Sequence, residues 1–154
     1  MNAPPSPPLK RTDLDRRIWE EELDGFVPRK VFDAHAHLYR WAFNLDPNKE
    51  RSGERELLGT TFANADSKLA DAVDALLMPG REVHRLAFPF PFRQPCDFDA
   101  SNAFLASELE RDAESAGLML VHPGLTAEET EAGIDRYGFL GFKPYRWYAV
   151  SGDS

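Results

Sequence analysis

The sequence is nearly without cysteine: Cys96 is the only one in 154 residues. No disulfide can therefore form within the chain, and a reducing compartment, the cytoplasm, is the expected home. Positive charge is also scarce. Eighteen Lys and Arg stand against 26 Asp and Glu, a formal charge of -8, which argues against a surface built to neutralise phosphates or to lie on anionic lipid. Nucleic acid and membrane are thus not expected as partners, and a small-molecule substrate is. No stretch approaches the ~20 apolar residues of a membrane span. The opening MNAPPSPPLKR holds four prolines and no apolar run that could serve as a signal-peptide core. Residues 1–10 read as a disordered Pro-rich tail and 11–154 as one domain, with no internal repeat.

What the chain does have is 42% hydrophobic content, enough for a real core, and a regular alternation of element types. Thr12 can cap a helix through Leu23, with Gly25 as its stop. Lys30 to Ala36 reads as a strand whose alternation places Val31, Asp33, His35 and His37 on one face. A polar, irregular stretch follows from Tyr39 to Thr61. Asn64 then caps a helix from Ala65 to Leu77, ended by Pro79-Gly80, and a second strand runs from Val83 to Phe88. Its continuation FPFPFRQP has too few backbone donors for a central strand and reads as an extended aromatic loop. Next come a helix from Ala100 to Ala116, a strand from Leu118 to His122, a capping-box helix from Thr126 to Tyr137, and a last strand from Phe139 to Tyr145.

Alternating strands and helices imply parallel pairing through right-handed crossovers, as an open doubly wound sheet or a closed (β/α)8 barrel. Four strands make only half of a barrel. The sequence also ends on RWYAVSGDS, where the next helix of such a unit would begin, and this raises the expectation of a fragment: the N-terminal half of a TIM barrel, truncated after the fourth strand. Such a half leaves two unpaired sheet edges, so the isolated chain is expected to dimerise or aggregate.

The segment VFDAHAHLYR puts two imidazoles at i and i+2 on a strand, where both project from one face and can share one ion. Asp33, one step earlier on that face, could orient a ligating ring. Two inert polar residues at a strand end would fit the spacing equally well. Lys143, in GFKPY, would face a barrel interior if Phe142 and Pro144 face the helices. It could pair with Asp33 or a backbone carbonyl, hold a substrate carboxylate, or, once carboxylated, bridge metals. His122, at the end of the third strand, could look into the same mouth or be a satisfied wall residue. His84, inside the second strand, has the weaker claim. Arg146, Trp147 and Tyr148 follow the fourth strand, where loops line barrel active sites. Cys96, beside Asp97, lacks a neighbouring base and is no nucleophile candidate.

The segment VFDAHAHLY resembles the first-strand metal motif of the amidohydrolase superfamily. Taken with LVHPGLTAEE and GFLGFKPYRWYA, the chain from Val31 onward resembles the amidohydrolase-related (type 2) branch. The resemblance implies that His35 and His37 hold a divalent metal, zinc foremost with manganese or iron as alternatives. It implies further ligands on the fifth and eighth strands, which lie beyond this sequence. The expected activity is metal-dependent hydrolysis of a small molecule by a metal-activated water. Decarboxylation, a carbon–carbon lyase reaction of the same branch, and a noncatalytic truncated remnant are the alternatives. Lys143, His122, Arg146 and Tyr148 become the expected substrate contacts, and no catalytic residue is assigned within the chain. The complete protein is expected to be a homo-oligomer, and this piece alone to be inactive.

Overall fold

The computed structural model describes residues 9–54, 58 and 62–149. The expected tail lies outside these residues except for Leu9 and Lys10, both exposed. Helix α1, Asp13–Ile18, opens on a capping box in which Thr12 and Asp15 satisfy each other's backbone amides. It loosens into a π turn at Trp19–Leu23, where buried Trp19 lies under the Arg81 guanidinium, 4.8 Å from its ring centre.

Strand β1, Lys30–Arg40, runs four residues past its expected end. Its last two residues pair antiparallel with a short β2, Asn64–Ala65, which the sequence pattern did not indicate. The Asn64 side chain accepts from the Trp41 backbone N–H instead of capping a helix. That role passes to Asp66, at the head of α2, Ser67–Leu77. Strand β3, Glu82–Pro89, leads through the aromatic loop to α3, Phe98–Leu109, capped by Asp97. This helix ends seven residues before its expected end. Asp112 accepts from the Ser115 hydroxyl and the Glu114 amide, and such local side-chain bonds compete with helix continuation.

Strand β4, Ala116–Leu120, accordingly begins at residues expected to close that helix. Gly117 serves packing rather than capping: a Cβ there would lie 2.6 Å from Leu109 Cδ1 and 2.7 Å from the Phe139 ring. Gly117→Ala is expected to lower the unfolding free energy by about 1–3 kcal/mol, read from the urea midpoint at unchanged slope. Helix α4, Ala127–Tyr137, has the expected Thr126/Glu129 capping box and ends on Gly138 at φ 67°, a conformation that glycine adopts without steric cost. Strand β5 is short, Gly141–Lys143.

The result is a mixed α/β fold around one five-stranded sheet, ordered β2-β1-β3-β4-β5, in which β1, β3, β4 and β5 run parallel in chain order. Helices α2, α3 and α4 all pack on the same sheet face. Their Ala70, Leu105 and Ile134 share a core with Leu38, Ala87 and Met119 of the strands. A second core gathers Tyr39, Trp41, Leu58, Ala63, Phe92 and Cys96 beyond the carboxyl end of β1. Among the described residues no helix is long and apolar enough to cross a membrane.

Candidate metal centre

The pairing of β1 with β3 slips by one residue between Asp33 and Ala36, so β1 carries a bulge at Ala34 and His35, the first residue of the histidine pair. A bulge resets strand alternation. Asp33 pairs with Arg85 and Ala36 with Ala87, so both lie on the helix-covered face, whereas His37 pairs with Phe88 on the other. The expected placement of Asp33 on the histidine face is thus corrected. Its carboxylate accepts from the His35 backbone N–H at 2.9 Å, which closes the bulge and leaves the imidazoles to other partners.

The two imidazoles do meet. Their ring centres stand 5.2 Å apart, edge to face, and each lies 4.8 Å from the ring of Phe88. Two imidazoles on one tetrahedral ion, with metal–nitrogen bonds of ~2.0–2.1 Å, would have ring centres about 5 Å apart, so the spacing fits a shared ion. His37 is half-buried, with Nδ1 3.2 Å from the Pro89 carbonyl oxygen. A proton on Nδ1 donated to that carbonyl leaves the Nε2 lone pair free, the arrangement typical of a ligating histidine. Burial depresses the His37 pKa, helped by the nearby charges of His35 and Lys143, which favours the neutral ring that a metal needs. His35 is exposed.

Lys143 reaches the same face from β5, where it pairs with Leu120. Its ammonium lies 4.6 Å from the centre of the Phe88 ring and 5.9 Å from that of Tyr145, the geometry of a cation held on aromatic faces. Phe142 and Pro144 border the groove along α4, as alternation required. A cavity of about 370 Å³ lies against the histidine pair, walled by Phe90, Arg93, Tyr145, Trp147 and Glu54. Burial pushes the Tyr145 hydroxyl up to about 12, and among the described residues that buried oxygen has no hydrogen-bond partner. The two Glu54 oxygens are occupied by the Asn44 side chain and the Arg93 amide.

The other expected contacts fall elsewhere. His122 packs 4.6 Å from the ring centre of Phe98, and its Nδ1 accepts from the Gly124 amide. Tyr148 is buried, with its hydroxyl donated to the Phe92 carbonyl, and Arg146 borders the α4 groove with it. The structure therefore brings His35, His37 and Lys143 together but not His122, Arg146 or Tyr148. Cys96 is buried, and burial, with the Asp97 charge, pushes its thiol up to about 11, away from nucleophilic use. Sequence reasoning missed Phe90, Arg93 and Glu54. The alternating FPFPFR was the available signal for the first two; nothing local marked Glu54.

Among the described residues, no third His, Cys or carboxylate completes a ligand triple with the pair. The donors present fit two coordination positions of a divalent ion. No protein-family model, no curated protein and no solved structure matches the chain.

Proposed function

We propose that this chain carries the opening half of the metal site of a small-molecule hydrolase, on the first four strand–helix units of an amidohydrolase-type (β/α)8 barrel. The observation that carries the reading is the His35/His37 pair, edge to face in the carboxyl half of the first strand, with His37 Nδ1 tied to the Pro89 carbonyl. Active sites of such barrels gather at the carboxyl ends of the strands. The barrel reading is supported by parallel strands in chain order with every core-forming helix on one face, since a doubly wound sheet would place helices on both. The opposite face carries an exposed Phe32 and a buried Phe88, as a barrel interior awaiting its other wall would.

A bound divalent ion, zinc first and manganese or iron otherwise, would supply a water of lowered pKa and polarise the bond under attack. His37 and His35 would hold it through one nitrogen each. The Lys143 ammonium beside them suits an anionic group of the substrate, and the Tyr145 ring helps wall the adjoining cavity. A catalytic zinc takes three protein ligands, so the remaining donors would come from outside the described residues. The chain alone is expected to bind metal weakly and to turn over no substrate.

Nitrogen-detected NMR reads each of the four histidines separately. On titration with zinc, the side-chain nitrogens of His35 and His37 are expected to shift together while those of His122 stay put, and His37→Ala should abolish the His35 response. Unmoved His35 and His37 signals at millimolar zinc would remove the basis of the reading.

A further inference from the structure

At the opposite end of the same strands, the starts of β1 and β3 and the turn before β4 bring Lys30, Glu82, His84, Asp112 and Glu114 together. The His84 side chain is only 12% exposed. Its Nδ1 lies 2.9 and 3.1 Å from the two Asp112 oxygens, and Asp112 is itself fixed by the Ser115 hydroxyl and the Glu114 amide. Asp112 on Nδ1 fixes the ring, and together with Glu82 and Glu114 it raises the His84 pKa, so an ion bound at Nε2 would take the place of the proton there. That nitrogen looks at Glu82 Oε1, 3.2 Å away, and Glu114 Oε2, 3.6 Å away.

We propose that Glu82, His84 and Glu114 form a binding site for a divalent transition ion, with Asp112 as the group that orients the imidazole. One donor atom from each of the three lies within 4.8 Å of the others, and no other such triple occurs among the described residues. One imidazole and two carboxylates make a donor set suited to zinc, with room for water in the remaining position. Magnesium and calcium, which prefer oxygen alone, are disfavoured. The charge also fits. Three carboxylates, Glu82, Asp112 and Glu114, against the single Lys30 ammonium leave a surplus of two negative charges when His84 is neutral.

Lys30 is the internal competitor. Its Nζ stands 3.0 Å from Glu114 and 3.4 Å from Glu82, on a side chain 59% exposed. An exposed ammonium on a flexible stem holds such a position weakly, so a dication displaces it without rearranging the sheet. A site here ties β1, β3 and the turn before β4 at the end of the sheet remote from His35 and His37, and it does not depend on the function proposed above.

The test uses the 154-residue chain carrying His35→Ala and His37→Ala, which removes the other histidine pair and leaves this cluster as the one such triple among the described residues. Calorimetric titration with zinc chloride near pH 8, on the alkaline side of the ordinary histidine range because Asp112 and its neighbours raise the His84 pKa, is expected to give one equivalent. Adding His84→Ala should abolish it, and Asp112→Asn or Glu114→Gln should weaken it about tenfold or more. Lys30→Ala should tighten it. Glu114 is exposed, so its variant keeps the fold, which circular dichroism checks, and it decides the matter if the His84 variant does not fold. Absence of zinc binding in the background chain, or binding indifferent to both His84→Ala and Glu114→Gln, would overturn the proposal.

Discussion

Arg85→Ala is expected to lower the unfolding free energy by about 3 kcal/mol at neutral pH. The Arg85 side chain is 4% exposed on the helix face of β3 and is held by Asp74 at 2.8 Å and Asp71 at 3.0 Å, both on α2. Breaking a buried pair from one side costs about 3–5 kcal/mol because the remaining charge is stranded. The lower end applies because Asp71 is exposed and Asp74 partly so. Burial raises the Asp74 pKa even with Arg85 in place, which opposes it, and removing the guanidinium raises it further. An acid whose pKa is higher folded than unfolded binds more protons in the folded state, so its penalty is full above the folded pKa and fades as pH falls through it. The deficit of the variant should therefore shrink on acidification. Chemical denaturation of both proteins across that range checks this, and a deficit that is constant with pH would show that Asp74 is not the stranded group. An Arg85→Met/Asp74→Leu double variant should recover much of the loss.

Asn102→Ala should cost a similar amount, about 3 kcal/mol, for a different reason. Asn102 sits on α3, 2% exposed. Its amide donates to the Leu120 carbonyl at 3.0 Å, and its oxygen accepts from the Leu120 N–H at 2.8 Å. The ladder from β3 to β4 covers only Ala116 and Gly117, so beyond it the Asn102 side chain stands where a neighbouring strand would bond β4. Alanine leaves a fully buried backbone donor and acceptor unpaired, at about 1–3 kcal/mol each. The Leu120 amide should then exchange with solvent far faster, while amides of α4 keep their relative order. A loss under about 0.5 kcal/mol would mean that water or a backbone shift satisfies those groups.

These two residues also mark where local reading stops. The Thr12 cap, the capping box at Thr126 and the glycine end of α4 are set by neighbours three or four residues apart, so the sequence spells them out. The order of four parallel strands follows from the alternation of element types. Strand geometry over two residues brings His35 and His37 to one face, and their rings still meet although His35 lies within the bulge. The face of Asp33 does not survive it: the slip arises in the pairing with β3, some fifty residues away, and nothing between Val31 and His35 encodes it. Strand β2 is a similar case, two residues long and created by the return of the chain to Tyr39 and Arg40. Helix α3 stops early where Asp112 accepts from Ser115 and Glu114, and that turn is also held from β3, by His84 on Asp112 and by the Arg85 amide on the Ser115 hydroxyl.

The sequence by itself determined the alternating α/β order, the absence of disulfides, the caps at Thr12 and Thr126 with the Gly138 stop, and the chelating spacing of the histidine pair, because each depends on composition or on a few adjacent residues. Only the tertiary structure decided which residues join that pair. It brought Lys143 over Phe88 and Tyr145 to the adjoining cavity, sent His122, Arg146 and Tyr148 to other surroundings, and gathered Glu82, His84, Asp112 and Glu114 at the far end of the strands. Those meetings depend on the register between strands distant in sequence, which is fixed by the packing of the whole sheet against its helices.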